Sequence, residues 1–173
     1  PFNAEGIQKN YPDVFFSQFT GAELVAKKWN LKRQDLDNFA LESHLRAAAA
    51  TKADYFSKEI LPLQGKNENG NDSMVIHDEG IRYDASLEAL AGLKTVSEGG
   101  VITAGNASQI TDGASAIMVC NEEGLKKITA DPKALIKTIT VVGDDPVYML
   151  TGPIPASKLA LRKANLSIND MDL

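Results

Sequence analysis

Residues 103–115 read TAGNASQITDGAS, and the organisation of the chain follows from them. The stretch holds two glycines, Gly105 and Gly113, two turn-forming residues, Asn106 and Ser108, and almost no bulk. The run Val101, Ile102, Thr103 enters it with strand character, and residues 114–120 (ASAIMVC) leave it as a buried-strand candidate. Such a junction has two readings. It is a tight turn between two strands, which spacing alone favours, or it is a place where backbone approaches a ligand closely, since small residues and glycine permit both.

On either side the chain alternates helical and strand-like segments. Residues 1–19 carry Gly6, Pro12 and four phenylalanines without a clean period, and read as loop with a short turn of helix. Phe15, Phe16 and Phe19 read as core packing, with the wall of an acyl pocket as the alternative. Residues 20–29 predict a helix capped by Thr20, and residues 32–55 a longer one with Leu36, Phe39, Ala40, Ala47 and Ala50 at helical spacing. Lys32, Arg33, Lys52 and Lys58 read as its solvated face, and His44 as exposed or hydrogen-bonded rather than catalytic. Residues 59–63 and 73–77 read as strands joined by the polar tip QGKNENGND (64–72), and His77 with Asp78 and Glu79 as a solvated strand end.

A helix over 87–93 follows, capped by Asp84 or Ser86. Arg82 precedes it and, on residue type alone, is a surface cation. Residues 121–127 predict a turn with a short helix, and residues 136–142 (IKTITVV) a β-branched strand broken by Gly143-Asp144-Asp145-Pro146. Met149 reads equally as a packed loop side chain or a pocket residue. A last helix is expected over 156–164, opened by Pro155 and closed near Asn165.

The segment 101–119, VITAGNASQITDGASAIMV, resembles the signature of the thiolase family of acetyl-CoA acyltransferases. The resemblance continues in residues 20–63, in 77–94 (HDEGIRYDASLEALAGLK) and in 143–173, in family order and spacing, and so covers almost the whole chain. It implies an α/β fold in which two βαβαβαββ halves form a five-layered body with a loop domain inserted in the first half. On that basis residues 1–99 are the loop domain, 100–129 the end of the N-terminal half and 130–173 the start of the C-terminal half.

The resemblance also implies chemistry. Thiolases cleave or form the C2–C3 bond of a 3-ketoacyl-CoA. A cysteine thiolate carries the acyl group, and a second cysteine and a histidine handle protons. The family's nucleophile lies upstream of the loop domain, and its Asn-Glu-Ala-Phe, Gly-His-Pro and Cys-Gly-Gly motifs lie further on; none of these is in this sequence. Cys120 ends an apolar run, is expected to be buried and inert, and does not substitute for them.

No catalytic residue is therefore assigned. The positions that match the coenzyme A site are Arg82 for the nucleotide end, Ala89 beside it, and Ala104, Gly105, Ser108 and Ile110 along the pantetheine arm, with Met149 in the acyl pocket. A guanidinium suits the first task because it pairs with phosphate and stacks on adenine. Many thiolases carry a His-Met pair where this chain has Ser17-Gln18, a departure that removes one pantetheine contact and points to the degradative branch. The alternative of a different class is a non-catalytic, thiolase-derived module that binds coenzyme A or lipid.

Composition bounds the partners. A net charge of -5 implies no general nucleic-acid surface, and no apolar run reaches the roughly 18 residues of a membrane span. One cysteine excludes an internal disulfide and is compatible with a reducing compartment, with the cytoplasm as first expectation. The resemblance implies acyl-CoA and coenzyme A as substrates, no permanently bound cofactor, no metal, and a full-length homodimer or homotetramer. The chain begins at Pro1 and ends at Leu173 where a strand should start, so it is expected to be an internal piece of a longer polypeptide. Its second section should then need a partner chain, swapping or further polypeptide to complete its sheets.

Overall fold

The computed structural model describes residues 4–67, 69–129 and 131–172. The elements are α1 (Glu5–Asn10), α2 (Gln18–Lys28), α3 (Arg33–Lys52), β1 (Leu63–Lys66), β2 (Asp72–Val75), α4 (Leu87–Ala91), α5 (Glu122–Leu125) and α6 (Pro153–Ala164), then a 3₁₀ turn, Ile168–Asp170. The chain forms two compact units, one of residues 1–25 with 112–173 and one of residues 26–111.

In the 26–111 unit, α3 is the longest element. Its Ala-rich second half supplies helix propensity, and the Asp35 carboxylate accepts from the Lys32 backbone N–H at 2.7 Å to close its N-terminus. The covered face takes in the expected Leu36, Ala40, Ala47 and Ala50, but it extends through Arg33, Asp37, Leu41, His44 and Thr51, while Phe39 is largely exposed. Two charged residues and a histidine therefore sit where periodicity puts the inner stripe. Arg33 is thereby removed from the solvated face to which its charge assigned it.

β1 and β2 pair antiparallel with Leu63 opposite Val75 and Lys66 opposite Asp72. The strands are shifted from the expected 59–63 and 73–77, because the Asn67 side chain closes the tip by accepting from the N–H groups of Asn69 and Asn71, both at 3.0 Å. Gly70 takes a positive φ of 77° there. α4 is capped by the Ser86 hydroxyl, which accepts from Ala89 N–H at 3.2 Å, as one of the two expected caps.

In the other unit, α2 begins two residues before Thr20, and Ser17 takes over the capping position by accepting from Phe19 N–H at 3.2 Å. α6 begins at Pro153 rather than after Pro155, because proline at the first helical position lacks only a donor that is unused there. Asn165 ends it in the left-handed conformation, φ 56°. Phe16 packs edge-on to Tyr11 at 5.6 Å, whereas Phe15 and Phe19 are exposed and form no core. At the last turn, the backbone N–H and hydroxyl of Ser167 both donate to Asp170 and hold its carboxyl below the ordinary carboxylate value.

The expected strands at 114–120 and 136–142 are not formed. Both runs lack regular structure and join no sheet among the described residues, and Ile117 is 89% and Val141 89% exposed. Within residues 101–103, Thr103 forms an isolated antiparallel bridge to Thr95, and Ile102 C=O accepts from Val96 N–H at 2.8 Å. The cause is non-local. A β-strand is completed by a neighbour's N–H and C=O groups, and the described residues offer these runs none. Cys120 is exposed as a result, contrary to its expected burial. Its thiol should react with an aromatic disulfide reagent in the folded chain at nearly the rate seen in denaturant. Strong protection would show that the run is covered.

Among the described residues no helix is long and apolar enough to cross a membrane, and no group of three or more His, Cys, Asp or Glu is placed to hold a metal ion.

Candidate functional site

The stretch 103–106 is a β-turn, closed by Asn106 N–H donating to Thr103 C=O at 3.3 Å. The Thr103 hydroxyl accepts from Gly105 N–H at 3.2 Å, and the Asn106 side-chain carbonyl accepts from Thr103 N–H at 2.8 Å. Thr103 is fully buried. The turn presses directly on α4. A Cβ on Gly105 would lie 2.5 Å from Leu90 Cδ2 and 2.5 Å from Leu93 Cδ1, so only glycine lets the backbone come this close.

Polar bonds fix that approach from below. The Asn106 amide donates to Asp37 Oδ1 and to Val101 C=O, both at 3.0 Å. Asp37 is 3% exposed and takes a second bond from Arg33 Nε at 2.7 Å. The Arg33 fork continues to the end of α4, donating to Leu90 C=O at 2.5 Å and Leu93 C=O at 3.2 Å. The guanidinium adds a charged donor to Leu90 C=O, which also accepts from Leu93 N–H at 3.1 Å, and reaches Leu93 C=O just past the helix. One carboxylate on α3 is thus joined directly to the turn and, through Arg33, to Leu90 in α4 and to Leu93 just beyond it.

A second set of bonds brings in the segment before α4. Gln109 Nε2 donates to Gly80 C=O at 2.6 Å, and His44 Nδ1 on α3 accepts from Arg82 N–H at 3.2 Å. The Arg82 guanidinium is exposed and makes no hydrogen bond or ion pair among the described residues. Its backbone is held while its charge is available to an anion.

The expected site residues therefore fall as follows. Arg82, Ala89, Ala104, Gly105, Ser108 and Ile110 all lie in the 26–111 unit. Gly105 and α4, which carries Ala89, are in contact through Leu90, and Gln109 ties the Ser108 side of the loop to the Arg82 segment. Arg82, Ala89, Ala104 and Ser108 are exposed, and Ile110 is fully exposed and packs against nothing in the unit. Met149 belongs to the other unit, at a positive φ of 57°.

Residue types alone missed Arg33, Asp37 and Asn106. The available signal was an acid four residues after an arginine on the inner stripe of α3, where a charge requires partners. Asn106 is 69 residues from Asp37, and no local pattern marks that pair.

The family profile described as thiolase, N-terminal domain, matches residues 4–123. A steroid 3-ketoacyl-CoA thiolase of Mycobacterium tuberculosis is 46% identical over 94% of this chain and 38% of its own length. A 3-ketoacyl-CoA thiolase of Aliivibrio fischeri is 42% identical over 97% of this chain and 44% of its own length. Among solved structures, human mitochondrial 3-ketoacyl-CoA thiolase superposes with a TM-score of 0.83 at 41% identity, covering 89% of this chain and 39% of that one. The Bacillus anthracis acetyl-CoA acetyltransferase gives 0.85 at 34% identity, covering 94% and 41%. The chain spans about two fifths of the length of the curated relatives it matches.

Proposed function

The chain belongs to the thiolase family, and on that premise we propose that it forms the coenzyme A-binding part of an acyl-CoA acyltransferase. The complete enzyme moves an acyl group between coenzyme A and a 3-ketoacyl-CoA or acetyl-CoA through a cysteine acyl-enzyme. The catalytic cysteines and histidine are supplied by polypeptide other than this chain, whose one cysteine has no part in the transfer. Residues 1–99 are the loop domain, and 100–129 and 130–173 belong to the two halves. The exposed apolar runs 114–120 and 136–142 then correspond to strands that a longer chain pairs, and the working form is a homo-oligomer. Ser17-Gln18 and the names of the two curated relatives support the degradative direction, with fatty acyl or sterol side chains as substrates.

The observation that carries this reading is the pairing of a held backbone with a free guanidinium at Arg82, in the same unit as a turn of small residues whose Gly105 packs directly on Leu90 and Leu93. Coenzyme A is anionic at its nucleotide end and offers amides along its arm. A lone cation at one end and a small polar wall with the Ser108 hydroxyl at the other match that distribution. Met149 would border the acyl end.

Calorimetric titration of the chain with coenzyme A tests it. Arg82→Ala should weaken binding by roughly 1–3 kcal/mol, and Ser108→Ala by about 1 kcal/mol. Unchanged affinity in a folded Arg82→Ala variant would remove Arg82 from the site. No uptake by the folded chain would mean that the site forms only with further polypeptide.

A further inference from the structure

We propose that Asp37, with Arg33 and Asn106, positions the coenzyme A channel by locking the 103–106 turn to α4 at a fixed separation. This rests on the reading that Ala104, Gly105 and Ser108 border the pantetheine arm.

The turn has little else to hold it. Among the described residues its β contact is limited to the Thr95–Thr103 bridge and the adjoining Val96 N–H bond to Ile102 C=O at 2.8 Å. Its local bonds, Thr103 to Asn106 and Gly105 to Thr103, set its shape but not its place. Its place is set by the Asn106 amide on Asp37 and by Gly105 against Leu90 and Leu93. Arg33 then fixes α4 to the same carboxylate through Leu90 and Leu93 C=O. A ligand wall of small residues works only if its backbone stays within a fraction of an ångström, and supporting hydrogen bonds supply that tolerance. Asp37 touches no part of the wall itself. It acts through Asn106 on one side and Arg33 on the other, so all three are positioning residues.

A polarity exchange separates this role from general stabilisation. In Asn106→Asp the carboxylate still accepts from Thr103 N–H but faces the Asp37 carboxylate at the former 3.0 Å hydrogen bond. In the double variant Asp37→Asn with Asn106→Asp, the bond between these two side chains returns with donor and acceptor reversed, while the bond to Val101 C=O stays lost in both variants. Titrated with coenzyme A, Asn106→Asp should bind about tenfold more weakly, and the double variant should recover to within about threefold of the natural chain. Amide hydrogen exchange at Thr103 and Gly105 should quicken in the single variant and slow again in the double. Should Asn106→Asp not fold, Arg33→Lys takes its place, since an ammonium cannot span Asp37 and the Leu90 and Leu93 carbonyls as Nε and Nη2 of the guanidinium do. Unchanged affinity with unchanged exchange in a folded variant overturns the proposal, as does quickened exchange with affinity intact. If the natural chain takes up no coenzyme A, the ligand reading of this chain falls separately. The exchange rates then decide whether the network places the turn: quickening and rescue support it, and no change refutes it.

Discussion

Asp37→Ala should lower the unfolding free energy by about 2–3 kcal/mol. The carboxylate is 3% exposed and holds bonds from Arg33 Nε at 2.7 Å and Asn106 Nδ2 at 3.0 Å. Its removal leaves two donors without their acceptor in a covered place, which costs more than the bonds themselves contribute. The full penalty of a broken buried pair, about 3–5 kcal/mol, is an upper bound here. The Arg33 side chain is 24% exposed and keeps Leu90 and Leu93 C=O, and Asn106 keeps Val101 C=O. Trp29, the single tryptophan, lies in the same unit and reports its unfolding by fluorescence in a urea titration. The control is on the same helix: Arg46 pairs with Glu42 at the same 2.7 Å and i,i+4 spacing, but both are exposed. Arg46→Ala should therefore shift stability by no more than about 0.5 kcal/mol. If the two variants lost equally, burial would not be what sets the strength of the Asp37 pair.

The contrast between those two ion pairs shows what the sequence discloses and what it withholds. Arg33/Asp37 and Glu42/Arg46 look alike as letters, and charge alone puts both on a solvated face. What separates them is the face of α3 each occupies, and that depends on elements more than 40 residues further along the chain. Features closed within a few residues were legible: Ser86 as one of two candidate caps of α4, a polar hairpin tip within 64–72, the helix end near Asn165 and the turn after Thr103. β pairing was not. Residues 114–120 and 136–142 have strand composition, but composition gives only a preference, and the partner that realises it is absent from the described residues. The same cause accounts for Cys120, whose burial was inferred from a strand that does not form. Family likeness located the candidate site where physical patterning could not. Arg82 and Ala89 carry no local signal, and their neighbourhood with Gly105 is made by Leu90, Gln109 and His44 acting over distance.

Gly21→Ala sets two effects of opposite sign against each other, and the destabilising one should win by about 1–2 kcal/mol. In a helix interior this change ordinarily gains about 0.5–1 kcal/mol, because alanine restricts the unfolded chain and favours the helix. Gly21 is buried in α2, and a Cβ there would stand 2.5 Å from Tyr148 C=O and 3.3 Å from its carbonyl carbon. The obstacle is main chain, so no rotamer change removes it. That carbonyl is also engaged, accepting from Leu150 N–H at 2.6 Å across Met149 at φ 57°. A bond spanning one residue of positive φ is a γ-turn of the rare, strained kind. Moving Tyr148 away from α2 means opening that turn, and with it the placement of Met149, the acyl-pocket candidate. Thermal unfolding followed by circular dichroism should show a midpoint lowered by about 3–6 °C. Gly6→Ala provides the opposite case: α1 is exposed, nothing lies within 4 Å of the new methyl, and the midpoint should hold or rise. A rise for Gly21→Ala as well would mean that the 148–150 turn yields at little cost.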